Sequence, residues 1–154
     1  SIYNRRSFMT LLDKSVNLMQ RMHSPLSLLG LDLDHFKRIN DTWGHSSGDQ
    51  ALRHFVQLVS DHLRNEDVIG RVGGEEFIIF LPNTGLEAAA GVAERLRALI
   101  ESQPVAGPHG PIALTVSIGV TLIARGETQE AALQRVDEAM YRAKAKGRNR
   151  VELA

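Results

Sequence analysis

Two apolar runs, Val68-Ile69 and Phe77-Ile78-Ile79-Phe80-Leu81, flank a Gly73-Gly74 pair, and two acids, Glu75 and Glu76, follow the glycines directly. The pattern predicts a β-hairpin over residues 67–81, closed by Pro82, because paired glycines supply the positive φ angles that tight turns need. A hairpin tip has no structural use for two adjacent carboxylates, whereas a metal ion or a reacting hydroxyl does. Glycines without Cβ atoms also let a nucleotide base or a phosphate approach the backbone closely. The plain alternative is a solvated tip, since exposed turns are often Gly-rich and charged.

The rest of the chain alternates helical and strand patterns. Phe8, Leu11, Leu12, Met19 and Met22 recur at helical spacing up to Pro25, and residues 26–31 read as a short buried strand. Residues 36–40 read as a helical turn and 44–48 as a connection. Leu52, Phe55, Val56, Val59 and Leu63 mark a second long helix, and Val92, Leu96, Leu99 and Ile100 a third. Residues 112–123 alternate like a strand, and Ala132, Val136, Met140 and Ala143 mark a last helix that stops near Gly147, before a short strand at 150–153. This order predicts an α+β fold, a mixed sheet with helices on its faces. With 154 residues, 43% of them hydrophobic, the chain has the size and the core of one domain over residues 1–154.

Charge and composition exclude several functions. Lys+Arg and Asp+Glu both number 18, so no overall field favours a nucleic acid or an anionic membrane. The basic run from Arg142 to Arg150 lacks the interleaved aromatics of a nucleic-acid surface, which argues against a polymer partner. The absence of cysteine removes disulfide scaffolds and thiolate metal sites.

A second acidic site, Asp32-Leu33-Asp34, lies at the C-terminal end of the first predicted strand, where ligand sites of α/β proteins gather. Spacing of two puts both carboxylates on one face. If the hairpin pairs with this strand, Glu75 falls opposite Asp32. Carboxylates from separate strands, without His or Cys, suit a hard cation such as Mg²⁺, which takes one or two carboxylates and completes its shell with substrate phosphates. The alternative is that Asp34 caps the following helix and Asp32 is merely solvated.

Several motifs together resemble one family. Asn4-Arg5-Arg6, the run Asp32 to Asp41, Gly44-His45, Gly48-Asp49, Arg71 to Phe77, Ser117-Ile118-Gly119-Val120 and Tyr141 to Arg150 are similar, in order and spacing, to the GGDEF family of diguanylate cyclases. The resemblance runs from end to end, with Glu in place of the Asp of the family name. It implies a fold like the palm of nucleotidyl cyclases, with a five-stranded mixed central sheet and the Gly-Gly-Glu-Glu turn on a hairpin. It implies condensation of two GTP into cyclic di-GMP with release of two pyrophosphates. It also implies a homodimer during turnover, because the 3′-hydroxyl of one nucleotide must reach the α-phosphate of another.

By the same resemblance, Asp32, the Leu33 carbonyl and Glu75 hold Mg²⁺ or Mn²⁺, and Glu75 or Glu76 helps remove the hydroxyl proton. Lys37 lies near the reacting phosphorus; His45, Lys144 and Arg148 are further phosphate contacts. Asn40 and Asp49 read guanine, since a carboxylate accepts from the guanine N1–H and amine together. From the residues alone, Asn40 reads as a helix end, Asp49 as an ordinary N-cap and a single Lys as a solvated side chain. Arg64-Asn65-Glu66-Asp67 matches the family's Arg-x-x-Asp product-inhibition motif, with Arg95 as a further member. Alone, such a pair is usually an i,i+3 ion pair at a helix end.

Family members begin Asp-x-Leu-Thr-Gly-Leu-x-Asn-Arg, whereas this sequence begins Ser1-Ile2-Tyr3-Asn4-Arg5. The expectation is therefore a chain truncated at its N-terminus and separated from an upstream regulatory or sensory domain, in a cytoplasmic location compatible with a membrane-anchored parent. Two alternatives stand beside catalysis: a weakly active domain that serves as a GTP or cyclic di-GMP receptor, and a ligand-free dimerisation module.

Overall fold

The computed structural model describes residues 2–154. The elements are β1 (Tyr3–Asn4), α1 (Arg5–Met22), β2 (Leu26–Leu33), α2 (Phe36–Trp43), α3 (His45–Asp61), β3 (Val68–Arg71), β4 (Glu76–Pro82), α4 (Leu86–Ser102), β5 (Val105–Gly107), β6 (Gly110–Ile112), β7 (Val116–Leu122), α5 (Gln129–Ala145) and β8 (Val151–Leu153). The first helix starts where the Asn4 side chain accepts the Ser7 N–H at 2.9 Å. It stops at His23, in the left-handed region at φ 53°, two residues before Pro25.

Six strands form one sheet in the order β1-β3-β4-β2-β7-β8. The four inner strands pair antiparallel, and the edge strands β1 and β8 run parallel to β3 and β7. The expected palm-like mixed sheet is present, with six strands rather than five. The addition is the two-residue β1, too short to leave a periodic signal. The alternating stretch 112–123 also divides: β6 pairs with β5 in a separate two-stranded ribbon, and only β7 joins the main sheet.

Alternation along the strands fills two cores. On one face Leu29, Leu31, Leu33, Phe77 and Ile79 pack with Phe55, Val59, Leu96 and Ile100 from α3 and α4. On the other, Leu26, Leu28 and Phe80 pack with Phe8 and Leu12 of α1 and Val136 of α5. Full burial of each such side chain contributes about 1.5–3 kcal/mol. The rings of Phe55 and Phe77 lie 4.8 Å apart and those of Phe8 and Phe80 5.5 Å apart, so each face carries a tilted aromatic pair.

Helix α5 lies directly on the sheet at Gly119, where a Cβ would run into the Met140 backbone nitrogen and come within 2.5 Å of the Val136 carbonyl oxygen. A Cβ at Gly30, its partner in register, would make only ordinary contacts with Val136, at 3.5 Å to its side chain and 3.7 Å to its carbonyl oxygen. Gly119→Ala therefore pushes helix backbone away from the sheet and should cost about 1–3 kcal/mol. Gly30→Ala should cost far less. Urea midpoints of the two variants compared with wild type measure the difference.

Candidate active site

The antiparallel register of β2 and β4 sets Asp32 opposite Glu76, and the Leu33 N–H donates to the Glu75 carbonyl at 3.2 Å. Glu76, rather than Glu75, thus faces Asp32, and Glu75 sits one step beyond, in the turn. The turn is a four-residue loop, and neither Gly73 nor Gly74 is left-handed. A longer loop spreads the reversal and needs no positive φ. Its carbonyls are gathered by Arg71, whose Nε donates to Gly73 O at 3.2 Å and to Gly74 O at 3.0 Å. The glycines serve space instead. A Cβ at Gly73 would crowd Glu76 Oε2 at 3.0 Å, and one at Gly74 would meet nothing within 4 Å, so the tip is open to an approaching ligand.

Asp32 is 9% exposed and receives the Lys144 ammonium on Oδ1 at 2.9 Å. Burial holds its carboxyl above the ordinary carboxylate range despite that ion pair, with Glu75 and Asp34 adding like charge. Burial likewise raises the Glu76 carboxyl, aided by Asp32, Asp137 and Glu75. Asp34 does not cap α2: the preceding residue of that helix is His35, at φ 56° and without a side-chain cap bond. Instead the Asp34 side chain turns inward and accepts from Thr115, Ser117, Lys144 and the Asn149 N–H.

Among the described residues no three His, Asp or Glu side chains converge as a ready metal cage. The donor set still fits a hard cation: buried carboxylate oxygens crowded together and answered by a single ammonium. Because the folded chain holds the Asp32 and Glu76 protons more tightly than the unfolded chain does, stability falls as pH rises from the ordinary carboxylate range through the raised values. Glu76→Gln removes part of that cost. Under chelator its melting point should exceed wild type at pH 8 by on the order of a few degrees, with the gain vanishing towards pH 4. Melting curves at both pH values test this.

The second group of predicted residues lies where α2 meets α3. The stretch read as a connection is already helix: Gly44, at φ 92°, is the single break, and α3 begins at His45. Asp49 is consequently an exposed residue within α3 and not a cap. Asn40 of α2 lies over Gly48, where any Cβ would collide with Asn40 Oδ1. Gly48 therefore lets Asn40 of α2 pack directly on the first turn of α3, a role that spacing alone did not reveal. His45 is exposed at the start of α3. Lys37, its side chain 90% exposed, is paired only loosely with Asp41 at 3.9 Å and does not join the carboxylates. Arg148 is exposed in a left-handed segment, φ 64°, and its charge helps depress the pKa of His35 after burial and Arg38.

Arg64 and Asp67 occupy a turn after α3, not a helix end: the Asp67 N–H donates to Arg64 O at 3.1 Å, and the Arg64 N–H donates to Asp67 Oδ2 at 2.8 Å. The guanidinium adds Nη2 bonds to Asp67 Oδ1 at 3.1 Å, Pro82 O at 2.9 Å and Thr84 Oγ1 at 2.8 Å. The pair thus ties this turn to the end of β4, with the Asp67 side chain 4% exposed against 52% for Arg64. Arg95 is exposed on α4, and among the described residues no hydrogen bond or ion pair joins it to Arg64.

Sequence reading missed Arg97 and Asn149. Arg97 donates to Glu94 and Glu101 and to Asn149 Oδ1 at 2.9 Å, linking α4 to the segment after α5. An Arg flanked by acids at helical spacing, Glu94 and Glu101, was the available signal.

Residues 1–150 match the family described as "Diguanylate cyclase, GGDEF domain". The chain is 43% identical over 151 residues to the diguanylate cyclase DgcP of Pseudomonas aeruginosa, covering 98% of this chain and 22% of that protein. The solved GGDEF domain of DgcB from Caulobacter crescentus, in complex with c-di-GMP, superposes with a TM-score of 0.94 at 32% identity, covering 99% of this chain and 91% of that one. The active GGEEF domain of a diguanylate cyclase from Vibrio cholerae gives 0.90 at 35% identity, with 99% and 97% covered. The chain spans roughly a fifth to a third of the length of curated relatives, 22% and 34% in two of them. No helix among the described residues is long and apolar enough to cross a membrane.

Proposed function

This chain belongs to the GGDEF family of diguanylate cyclase domains, and from that premise we propose that it condenses two GTP into cyclic di-GMP and two pyrophosphates. The observation that carries the reading is the intact carboxylate group at the turn. Asp32 stands across from Glu76, Glu75 lies one step further, and the Lys144 ammonium is 2.9 Å from Asp32. In each half-reaction a 3′-oxygen bonds to the α-phosphorus of the other nucleotide, the bond to pyrophosphate breaks, and the hydroxyl proton leaves to a base. Glu76, with its raised pKa, is suited to accept that proton; Glu75 is the alternative acceptor. Each domain holds one GTP, so turnover requires two copies face to face.

Asp32, the Leu33 carbonyl and Glu75 would hold Mg²⁺ or Mn²⁺, which when bound neutralises the triphosphate and stabilises the leaving pyrophosphate. Lys144, Arg148, Lys37 and His45 bind phosphate oxygens, Lys as point charge and Arg as fork. For Lys37 and His45 this requires movement from the exposed positions described above. Asn40 and Asp49 read the guanine edge. The chain is a cytoplasmic module of a longer protein that carries a regulatory or sensory domain upstream; the small share of its relatives that it spans supports a longer parent.

Incubation with GTP and Mg²⁺, with products separated by chromatography, tests the activity. Cyclic di-GMP is the expected product. GTP that binds and is recovered unchanged would favour the receptor alternative.

Product inhibition at Arg64, Asp67 and Arg95 completes the proposal. Cyclic di-GMP offers two phosphates and two guanines, and an Arg beside an Asp meets both chemistries. The bonds of the Arg64 guanidinium to Asp67, Pro82 and Thr84 use Nε and Nη2, so its half-exposed outer edge is the part offered to product. Arg64→Ala should weaken cyclic di-GMP binding in calorimetry by about tenfold or more and relieve inhibition at unchanged initial rate. Equal binding by the variant would leave the pair a purely structural tie.

A further inference from the structure

We infer that Asp34 is a positioning residue for the phosphate-binding side of this site: it holds the Lys144 ammonium beside Asp32 and pins the left-handed segment that carries Arg148. The inference rests on the GTP reading above. Asp34 is 3% exposed, yet its two oxygens receive four donors. Oδ1 accepts from the Ser117 hydroxyl at 2.7 Å and from Lys144 Nζ at 3.2 Å. Oδ2 accepts from the Thr115 hydroxyl at 2.8 Å and from the Asn149 N–H at 3.0 Å.

A buried carboxylate is unfavourable unless paired and fully hydrogen-bonded, and an apolar side chain would join the same elements at lower cost. What a charge adds is control over where another charge sits. Lys144 lies in the last turn of α5, on a flexible stem that would otherwise carry its head into water. Two carboxylates, at 2.9 and 3.2 Å, hold it instead with its side chain 21% exposed. With Asp32 engaged elsewhere, Asp34 is the anchor left to the ammonium.

The same carboxylate holds the backbone beyond α5. Gly147, Arg148 and Asn149 have φ of 122°, 64° and 47°. L-residues visit that region singly and seldom in succession, so the segment persists only where its surroundings over-determine it. The restraints are the Arg148 N–H to Ala143 O at 2.9 Å, the Asn149 N–H to Asp34, and the Asn149 side chain between Arg97 and Glu101. Asp34 is the point where the ammonium and this segment meet.

The test uses 3′-deoxy-GTP, which lacks the attacking hydroxyl, and guanosine, which lacks phosphates. Both are titrated with Mg²⁺ into wild type, Asp34→Asn, Lys144→Met and the double variant, beside melting curves. Asp34→Asn should weaken 3′-deoxy-GTP about tenfold and leave guanosine unchanged, and the double variant should lose clearly less than the sum of the two single variants, keeping only the part of the Asp34 effect that runs through the Arg148 segment. Removing a negative charge near phosphates would by itself tighten binding, so equal or tighter 3′-deoxy-GTP binding overturns the inference. So does parallel loss of both ligands with melting point, or strict additivity in the double variant. If Asp34→Asn does not fold, Thr115→Val loosens the carboxylate without removing its charge. It should weaken 3′-deoxy-GTP severalfold and spare guanosine, and unchanged binding overturns the inference. Wild type that binds neither ligand would overturn the GTP reading itself, and the positioning role with it.

Discussion

Glu75→Gln should abolish synthesis, with a fall of at least about 10²–10³-fold, while the melting point stays within a few degrees of wild type. The amide keeps the size and one acceptor oxygen but loses the charge that a divalent cation and a triphosphate require. Little else depends on it: Glu75 lies in an open turn whose carbonyls are held by Arg71, and the Leu33 bond uses the Glu75 backbone. Large destabilisation needs a cavity, a buried unpaired charge or backbone strain, none of which this change creates. Turnover measured by chromatography beside thermal melting separates the two effects. Wild-type turnover in the variant would remove Glu75 from the metal site.

Asp49→Ala should erase most of the preference for GTP over ATP. A site built to pair with the guanine N1–H and amine leaves a carboxylate unpaired when adenine enters, and mismatches of that kind discriminate by about 10⁴-fold. Asp49 is exposed in α3, beside the Gly48 over which Asn40 lies, and among the described residues its carboxylate caps no helix. Competition binding of GTP and ATP to both proteins measures the change. Unaltered affinity and base preference would mean that guanine is read elsewhere.

How much of this was legible in the sequence depends on the range of the interactions. The apolar runs from Phe77 to Leu81 and from Leu26 marked the central strands, and both cores follow once their side chains alternate across the sheet. The acidic cluster was legible because Asp32 and Glu76 end adjacent strands; the pairing was displaced by one residue, since the loop length was not known in advance. Local geometry hid the start of α3, because Gly44, Ser46, Ser47 and Gly48 compose equally well as a loop or a first helical turn. The ribbon of β5 and β6 is three residues a side and carries Pro111 and two glycines, so it leaves no strand pattern.

Asp34 was least legible. Its side-chain partners Thr115, Ser117 and Lys144 lie 81, 83 and 110 residues away, and a short acid before a helix reads locally as a cap. The Arg64 turn shows the reverse case. The motif was visible, but its additional ties to Pro82 and Thr84, which give the ion pair a structural task, depend on where β4 ends.

The ratio of pyrophosphate to cyclic di-GMP during GTP turnover, at protein concentrations that let two domains meet, tests the central claim most directly. The account predicts two pyrophosphates for each cyclic di-GMP, and no turnover when the divalent cation is chelated. GTP returned intact, or pyrophosphate released without a cyclic product, would contradict it.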